Sequence, residues 1–357
     1  MSNFNSFEKK ISKIIKINPF IHSKIKLLYQ KITYQLNKNK DFIFKLNSNC
    51  KLIDFKIENS FFGYYDHQPF SNDMKYFVCH QLKKNTKIKS TIKTHHDSFN
   101  KINLNLYKFE NNKIKFLKTL CESKFFNFQQ GIRPIWINND ELIFNSIKNN
   151  TLVATKYNLK TNSFINYDFP VQEILIEDNV EEKLLEDVKG PMLLSIDYKK
   201  LDYINKDYGY GLNKESIHQK LYTHHGIIGH DLNSNTEKFH LDIKRIHQLS
   251  KNKDIPIEDC EINHLHQFRK KELGSRVLCT KNSFAFIYRS KSYNGFSELF
   301  YYVVGIDKLK RLYSGNLISH YCFINIDTFF AYLEHDNKNG FYEIECLKDR
   351  TFIRKQI

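Results

Sequence analysis

The sequence predicts an all-β fold, a β-propeller of about six blades (five to seven), with a short basic α-helical arm at its N-terminus. A first hairpin pattern recurs at Pro69–His80, Pro134–Asn145 and Leu317–Leu333, and a looser copy starts at His264. Each copy has an aromatic residue, a polar Asn/Asp turn and then alternating apolar residues. Alternation of this kind is typical of a strand that is buried on one face. Hairpins that recur along a chain indicate a repeat fold.

A second hairpin type recurs between the copies of the first. It has an apolar strand, a polar turn and a return strand, and its copies start about 40 to 73 residues apart, at Leu106–Leu120, Lys156–Phe169, Gly229–Ile243, Tyr301–Ser314 and Phe341–Lys355. Two hairpins per repeat make a four-stranded sheet, which is the unit of a propeller blade. A β-sandwich is the competing fold, but its strands would not recur as paired hairpins at this spacing. Strands near residues 51–58 are candidates to close the ring with the C-terminal hairpin.

Two stretches break the β pattern. Val171–Gly190 is acidic, and we interpret it as helical. Ile204–Leu221 carries Tyr208 and Tyr210 beside two glycines, which is typical of a long loop.

The N-terminal arm, residues 1–45, differs from the propeller domain, residues 46–357. Residues 1–40 carry nine lysines and one acid, Glu8. Apolar residues at helical spacing form two faces separated by Pro19: Ile11, Ile14 and Ile15, then Ile21, Ile25, Leu28, Ile32 and Leu36. A basic amphipathic helix can lie on anionic lipid or bind a partner protein. The alternative is that both helices pack on the main domain and leave their lysines in solvent.

The overall charge of +16 does not by itself predict a nucleic-acid partner. Lysine, asparagine and isoleucine are over-used along the whole chain, as an AT-biased genome would produce, and acids are interspersed with the lysines after residue 50. No nucleic-acid-binding motif is present. We therefore expect no nucleic acid among the partners.

Cysteine usage and the N-terminus favour a cytoplasmic protein. The seven cysteines lie far apart and form no CxxC pair, so we expect reduced core residues and neither disulfides nor a Cys-rich zinc site. The polar N-terminus has no apolar run of the signal-peptide type, and no stretch of 18 apolar residues exists.

The repeat places basic side chains at equivalent positions. His67, Arg133 and His320 each stand three residues before the aromatic residue of a first hairpin, and in the fourth copy His264 and His266 flank that position. Residues that lead into the innermost strands of a propeller line one mouth of its channel. We therefore expect these side chains around one opening, with His67, Arg133, His264 and His320 as the catalytic candidates.

Histidines around an opening can do several kinds of chemistry. His264, His266 and His320 are candidate ligands of a divalent metal ion, because neutral histidine is the commonest metal ligand. They could equally act as general bases or hydrogen-bond a sugar. The structural alternative is that each one caps its blade by bonding backbone groups.

Further residues are candidates for substrate binding. Arg289 could present a permanent charge to a carboxylate or phosphate, or form a surface salt bridge. Tyr208 and Tyr210 could stack on a sugar ring, or anchor their loop. Asp66 could orient His67 or cap a turn.

Several motifs together resemble a bacterial propeller family related to oligogalacturonate lyases: GYYDHQPFS, QQGIRPIW with LIFN, SIDYKKL with DYGYG, INHLHQF and ISHYCF. The resemblance covers about residues 50–345. Many members of this group are uncharacterised, and they often accompany surface-polysaccharide biosynthesis genes. The resemblance therefore implies a glycan-related role.

The resemblance also implies a cofactor. The lyases bind a manganese ion through three histidines and one glutamine, and an arginine and a histidine assist proton abstraction next to a uronate. His264 and His266 resemble the paired histidines of the lyases, and Gln130 and Gln267 are both candidates for the glutamine. Asn263–His264 and Ser319–His320 depart from the lyase pattern and resemble the uncharacterised branch.

We therefore predict a cytoplasmic propeller that acts on or binds a carbohydrate in surface-polysaccharide metabolism, with lyase-like chemistry on an acidic sugar or sugar phosphate. Arg133 and Arg289 would hold the acid, a metal would acidify the adjacent C–H, and one of His67, His264 and His320 would take the proton. The alternative is a non-catalytic scaffold for glycan-assembly proteins, held at the inner face of the membrane by residues 1–40.

Overall fold

The computed structural model describes residues 57–83, 101–111, 113–176, 190–205, 208–212, 219, 226–267, 269–271, 277–279, 283–290, 295–325, 328–347 and 350–355. It also describes six helical residues of the arm: Leu28, Tyr29, Lys31, Ile32, Gln35 and Leu36. The chain forms two compact units, Met1–Asp54 and Phe55–Ile357.

The second unit is a β-propeller. Its described residues form five antiparallel four-stranded sheets, each made of strands in chain order. The first sheet contains β1 (Ser60–Phe61), β2 (Tyr76–Leu82), β3 (Ile102–Glu110) and β4 (Lys113–Ser123). The second contains β5 (Ile135–Trp136), β6 (Glu141–Lys148), β7 (Thr151–Asn158) and β8 (Ser163–Tyr167). The third contains β9 (Glu173–Leu175), β10 (Met192–Ile196), β11 (Gly226–Asp231) and β12 (Glu237–Asp242).

The last two sheets follow the same plan. The fourth sheet contains β13 (Cys260–His266), β16 (Ser283–Ser290), β17 (Ser297–Val303) and β18 (Lys308–Gly315). A separate two-stranded hairpin, β14 (Arg269–Lys271) and β15 (Val277–Cys279), is inserted after its first strand. The fifth sheet contains β19 (Ile318–Asn325), β20 (Thr328–His335), β21 (Lys338–Leu347) and β22 (Arg350–Lys355).

The structure confirms both predicted hairpin types. Leu317–Leu333 forms β19 and β20, in which Tyr321 lies opposite Ala331 and Phe323 opposite Phe329. The second type forms the outer strand pairs, such as β7 with β8 and β21 with β22. The described residues contain five four-stranded sheets, which is within the predicted range of five to seven blades and one fewer than the six expected. Residues 51–56, on which the ring-closing strand depends, lie outside the described residues.

The two α-helices described in the second unit were not predicted from the sequence. Helix α1 (Tyr198–Ile204) and helix α2 (Ile243–Leu249) each begin after an aspartate, Asp197 or Asp242, whose side chain accepts a backbone hydrogen bond from the first turn. An N-cap of this kind satisfies one of the free N–H groups at a helix start. Two short 3-10 helices cover Ile257–Asp259 and Val304–Ile306.

The helical interpretation of Val171–Gly190 is wrong at its start. Glu173–Leu175 forms strand β9, which pairs with Met192–Leu194 of β10. Ile174 and Leu175 are fully or almost fully buried, so packing in the third sheet overrides the helical preference of an acidic stretch. Residues 177–189 lie outside the described residues.

The core lies between consecutive sheets. Apolar side chains of the fourth and fifth sheets form one buried cluster, and equivalent clusters join the other neighbouring sheets. In β20 the side chains of Phe329, Ala331 and Leu333 are buried in this way, whereas Phe330 and Tyr332 on the other face are only half-buried. Successive side chains of a strand point to opposite faces, so the alternation seen in the sequence sets which face is packed.

Five of the seven cysteines have described side chains. Cys79, Cys121, Cys260, Cys322 and Cys346 are free thiols, and the side chains of the other two lie outside the described part of the chain. Cys322 is exposed and so is not a core residue. Among the described helices, none is both long enough and apolar enough to cross a membrane.

Candidate functional site

The predicted side chains meet in one group at the starts of the sheets, which we call the mouth cluster. Its members are Tyr64, Tyr65, Asp66, His67, Arg133, Glu173, Glu261, His264, His266, Arg289 and His320. Apart from Arg289 on β16, each lies in or a few residues from the first strand of its sheet. The structure therefore brings together His67, Arg133, His264, His266 and His320, as the repeat predicts, and their functional roles remain a prediction.

A buried ion pair, Asp66 with Arg133, organises one side of the cluster. The Nη2 group of Arg133 donates to Asp66 Oδ2 at 2.5 Å, and its Nε group donates to the carbonyl of Gln172. The same carboxylate oxygen lies 3.6 Å from His67 Nε2 and 3.4 Å from His266 Nδ1. Asp66 is thus shared by one arginine and two histidines, which fixes the positions of both imidazoles.

The charges of this pair reinforce each other. Burial alone would raise the pKa of Asp66, but Arg133, followed by His67 and His266, holds it well below its usual range. Burial would likewise lower the pKa of Arg133, but the Asp66 carboxylate raises it. Both groups therefore stay ionised at neutral pH.

The backbone at two mouth positions is left-handed. Arg133 has φ of 55° and His264 has φ of 52°, a region that non-glycine residues rarely occupy. Each such residue costs about 1–3 kcal/mol, which the surrounding contacts must offset. At His264 one of those contacts is the hydrogen bond that its carbonyl accepts from the Tyr321 hydroxyl at 2.6 Å.

His80 holds the turn that carries Gln130 and Arg133. It is fully buried, and its Nε2 accepts a hydrogen bond from the backbone N–H of Ile132 at 3.1 Å. Its ring lies so close to Gly131, with φ of 60°, that a Cβ on that residue would come within 2.1 Å of the imidazole. Burial lowers the pKa of His80 to about 4, so the ring stays neutral and keeps its acceptor.

His264 is a neutral, fully buried imidazole in the middle of the cluster. Neither of its ring nitrogens has a hydrogen-bond partner among the described residues. Burial, and then the positive charge of Arg289, hold its pKa well below the usual value. Its ring centre lies 5.7 Å from that of His320, 6.3 Å from that of His266 and 5.2 Å from that of Tyr64. A buried polar group without a partner is costly, so this ring is a candidate ligand-binding group.

His320 is the half-exposed imidazole of the cluster. Its Nδ1 lies 2.6 Å from Ser319 Oγ. Burial, and then Arg289, lower its pKa. When Nδ1 donates to Ser319, the lone pair on Nε2 is left to accept a proton.

Two adjacent tyrosines cover the histidines. Tyr65 is 49% exposed, yet its hydroxyl donates to the Tyr321 carbonyl and accepts from the Tyr321 N–H, so the ring is fixed. The Tyr64 hydroxyl lies 3.3 Å from that of Tyr208, and its ring packs on His264 and His320. Burial raises the pKa of both Tyr64 and Tyr65, so both phenols stay protonated.

A second ion pair, Glu261 with Arg289, lies near His264. Arg289 Nε donates to Glu261 Oε1 at 2.6 Å, and that oxygen also accepts from the side chains of Asn205 and Asn263. The guanidinium lies 5.4 Å from the centre of the Tyr208 ring. Burial would lower the pKa of Arg289, but Glu261 raises it, so the charge is permanent.

The predicted tyrosines lie in the anchoring arrangement. Tyr208 is 7% and Tyr210 2% exposed. Tyr210 stacks on Tyr198 and accepts a hydrogen bond from the Asn145 side chain. Their stacking on a sugar remains a prediction. Both rings are buried, whereas the Tyr65 ring is about half exposed.

Comparison with known proteins supplies no family. No protein-family model and no curated protein matches the chain. Solved structures are similar at low identity. The β-propeller domain of the trilobed protease from Pyrococcus furiosus is 10% identical over 82% of this chain and 71% of that chain, with a TM-score of 0.39.

Two oligogalacturonate lyase structures are also similar. The lyase from Vibrio parahaemolyticus is 12% identical over 82% of this chain and 78% of its own, with a TM-score of 0.33. A manganese complex of an oligogalacturonate lyase is 10% identical over 80% and 75%, with a TM-score of 0.33. TolB from Acinetobacter baumannii is 10% identical, with a TM-score of 0.36. The match covers 77% of this chain and 50% of TolB, so this chain spans only half of that protein's length. At these identities and TM-scores, the activity must be argued from the residues of this chain.

The three predicted metal ligands are neighbours but do not converge. Within the described part of the chain, no three His, Cys, Asp or Glu side chains are placed to hold a metal ion. The Nδ1 atom of His266 faces Asp66, and the ring centres of His264 and His320 are 5.7 Å apart. These residues as placed do not fit a metal site, and manganese remains a prediction.

Four members of the mouth cluster, and Ser319 beside His320, were missed in the sequence. Glu173 lies in an acidic stretch, Glu261 precedes the histidine motif by three residues, and Ser319 is adjacent to His320. Tyr64 and Tyr65 stand within the quoted GYYDHQPFS motif, next to two residues that were predicted. Adjacency to a predicted site residue was the signal that could have identified most of them. Of the two candidate glutamines, Gln130 lies beside Asp66 in a cavity, whereas the Gln267 side chain binds the backbone of Ile176.

Proposed function

We propose that this chain is a carbohydrate-acting propeller whose mouth cluster binds an acidic sugar and removes a proton next to its carboxylate. The observation that carries the proposal is the setting of His320. It is a half-buried imidazole with a lowered pKa, held by Ser319 and lying beside a permanent arginine charge and two tyrosine rings. A neutral imidazole of this kind is a competent general base at neutral pH.

The reaction that suits this arrangement is β-elimination from a uronate. His320 Nε2 takes the proton from C5, and the electron pair left behind forms the C4–C5 double bond. The C4–O bond to the next sugar breaks, and the leaving oxygen takes a proton from a protonated phenol. Tyr64 is the candidate donor, because burial keeps its hydroxyl protonated and its ring contacts that of His320.

The two arginines have different roles in this proposal. Arg133 is 2% exposed, and both its Nε and Nη2 donors are engaged within the protein, so it positions Asp66 and the imidazoles. Arg289 uses its Nε for Glu261, while its Nη2 is buried against the Tyr208 ring without a hydrogen bond. Arg289 is therefore the better candidate for holding the ligand's carboxylate or phosphate.

The proposal does not route any step through a metal. One oligogalacturonate lyase structure holds manganese, and that ion belongs to that protein. Here the geometry of the described donors does not fit a metal, so the charge on the ligand is balanced by Arg289 alone. A role in surface-polysaccharide metabolism, and membrane or partner contact through residues 1–40, are part of the same proposal and rest on the sequence alone.

The test is elimination activity on acidic oligosaccharides. Purified full-length protein is incubated with oligomers of galacturonate, alginate, hyaluronan and heparosan, and the conjugated 4,5-unsaturated product is followed by ultraviolet absorbance. We expect turnover of at least one substrate, lost by about 10²–10⁴-fold in His320→Gln. The matched control is His335→Gln, at the C-terminal end of the paired strand β20, where the ring contacts Tyr313 and Tyr342 rather than the mouth cluster; it should keep wild-type activity.

A scaffold predicts a different result. It would show neither turnover nor calorimetric binding of any acidic oligosaccharide, and His320→Gln would leave its partner contacts unchanged. That outcome would overturn the carbohydrate proposal.

A further inference from the structure

A small cavity beside Asp66 is lined by hydrogen-bond acceptors that the protein leaves unused. Tyr64, Asp66, His67, Gln130 and Arg133 line it, and it has room for about one water-sized group. His67 lines this cavity, whereas His320, the proposed base, does not. The contents of the cavity are therefore a separate question from the base.

Two acceptors of this cavity are buried without a partner. Oδ2 of Asp66 accepts a hydrogen bond from Arg133, but Oδ1 of the same carboxylate accepts none from the described residues, and the side chain is 2% exposed. The side-chain oxygen of Gln130, in a residue that is 2% exposed, is also buried and accepts none from that part of the chain. Buried acceptors of native proteins are almost always satisfied, so two in one small cavity indicate a ligand group that donates hydrogen bonds.

The lining of the cavity narrows the chemistry of that group. Asp66 is ionised and its Oδ2 is paired with Arg133, which also lines the cavity, so the group donates to the free Oδ1, and an ionised carboxylate forms stronger hydrogen bonds with charged donors than with neutral ones. A primary ammonium has three donors and is about the size of a water molecule, whereas an acetylated nitrogen keeps a single donor and adds a bulky acyl group. The cavity thus suits a free amino group and excludes an N-acetyl group.

We propose that this cavity is a subsite for the unsubstituted amino group of an amino sugar. The inference rests on the proposed function, because it makes the ligand a glycan that carries both an acid, held at Arg289, and a free amine, held at Asp66 and Gln130.

The experiment compares one polymer before and after chemical N-deacetylation. Heparosan oligosaccharides, which alternate glucuronate and N-acetylglucosamine, are titrated into the full-length protein by calorimetry, and so are their N-deacetylated forms. We expect the free-amine form to bind at least about tenfold more tightly, the value of one charge-assisted hydrogen bond. Gln130→Met should remove most of that preference.

Gln130→Met is a fair probe because the Gln130 side-chain oxygen holds nothing in the protein. Its backbone N–H and carbonyl make the contacts of the turn, with Asn127 and Arg133, and the substitution leaves them in place. Removing an unsatisfied buried acceptor should not lower the thermal unfolding midpoint, which checks that the variant folds. Gln129→Met, the same change one residue earlier and outside the cavity lining, is the matched control and should bind like the wild type.

The outcomes separate this inference from the proposed function. Equal binding of the two forms, or a preference that survives Gln130→Met, would overturn the amine subsite, and so would turnover of galacturonate or alginate without affinity for either heparosan form. In each case a lyase that is sensitive to His320→Gln would leave the proposed function standing. Absence of binding and turnover with every acidic glycan would overturn both.

Discussion

His80 makes the stability of the site-bearing turn depend on pH. Its folded pKa is about 4, against about 6.5 for an unperturbed histidine. Between pH 6.5 and pH 4 the imidazole is protonated in the unfolded chain but stays neutral in the folded protein. The contribution of His80 to the free energy of unfolding is therefore fully present above pH 6.5 and is lost toward pH 4. For this one group the free energy of unfolding should fall by about 2 kcal/mol between pH 7 and pH 5, and by about 3 kcal/mol by pH 4.

The assay is urea unfolding of the wild type and His80→Gln at pH 7, 6 and 5. Glutamine offers an oxygen that can accept from Ile132 N–H but does not titrate, so the variant is less stable by a constant amount. His264, whose pKa is also lowered, titrates in both proteins and cancels in the difference. The wild type should therefore lose its advantage over His80→Gln as the pH falls. Parallel loss of stability in the two proteins would refute the reasoning.

Three further predictions concern the mouth cluster and its neighbour Ser319. Asp66→Asn leaves the Arg133 guanidinium buried without its counter-charge, so we expect the free energy of unfolding to drop by about 3–5 kcal/mol in urea melts; an unchanged midpoint would contradict a buried ion pair. Ser319→Ala should keep the fold but lower kcat by about tenfold, because Nδ1 of His320 loses the partner that selects its tautomer. The wild-type pH–rate profile should then have its acid limb below pH 6.5, since the pKa of His320 is lowered, and a limb at or above 6.5 would exclude His320 as the base.

Most of the fold follows from local sequence patterns. The paired hairpins are long enough for alternation to be read, as in β20 and β21, and the polar turns between them mark each reversal. The first strands are different: β1 and β5 have two residues each and β9 has three. Strands this short carry no periodicity, and their pairing is decided by the neighbouring strand. This is why β9 was interpreted as part of a helix.

The position of the site was predictable, but its internal pairing was not. Equivalent positions in a repeat must face the same opening, which is enough to bring His67, Arg133, His264 and His320 together. Which carboxylate each cation meets depends on three-dimensional contacts between sheets, such as Arg133 with Asp66 from the preceding sheet. The spacing of residues along the sequence does not predict those contacts.

The hydrogen bonds between Tyr65 and Tyr321 also bear on how the protein is made. They join residues 256 apart in the chain, whereas neighbouring strands within a sheet are mostly joined by short turns. Local hairpins form early in folding, and contacts between distant segments form late because closing a long loop costs entropy. A chain emerging from the ribosome can therefore complete four sheets before His320 and Tyr321 have been added. At that stage Tyr65 is not yet held by Tyr321, and the rings that pack around His264 are incomplete. Under the proposed function, elimination at the mouth would begin only when the fifth sheet docks, so a nascent or truncated chain would be largely folded but inactive.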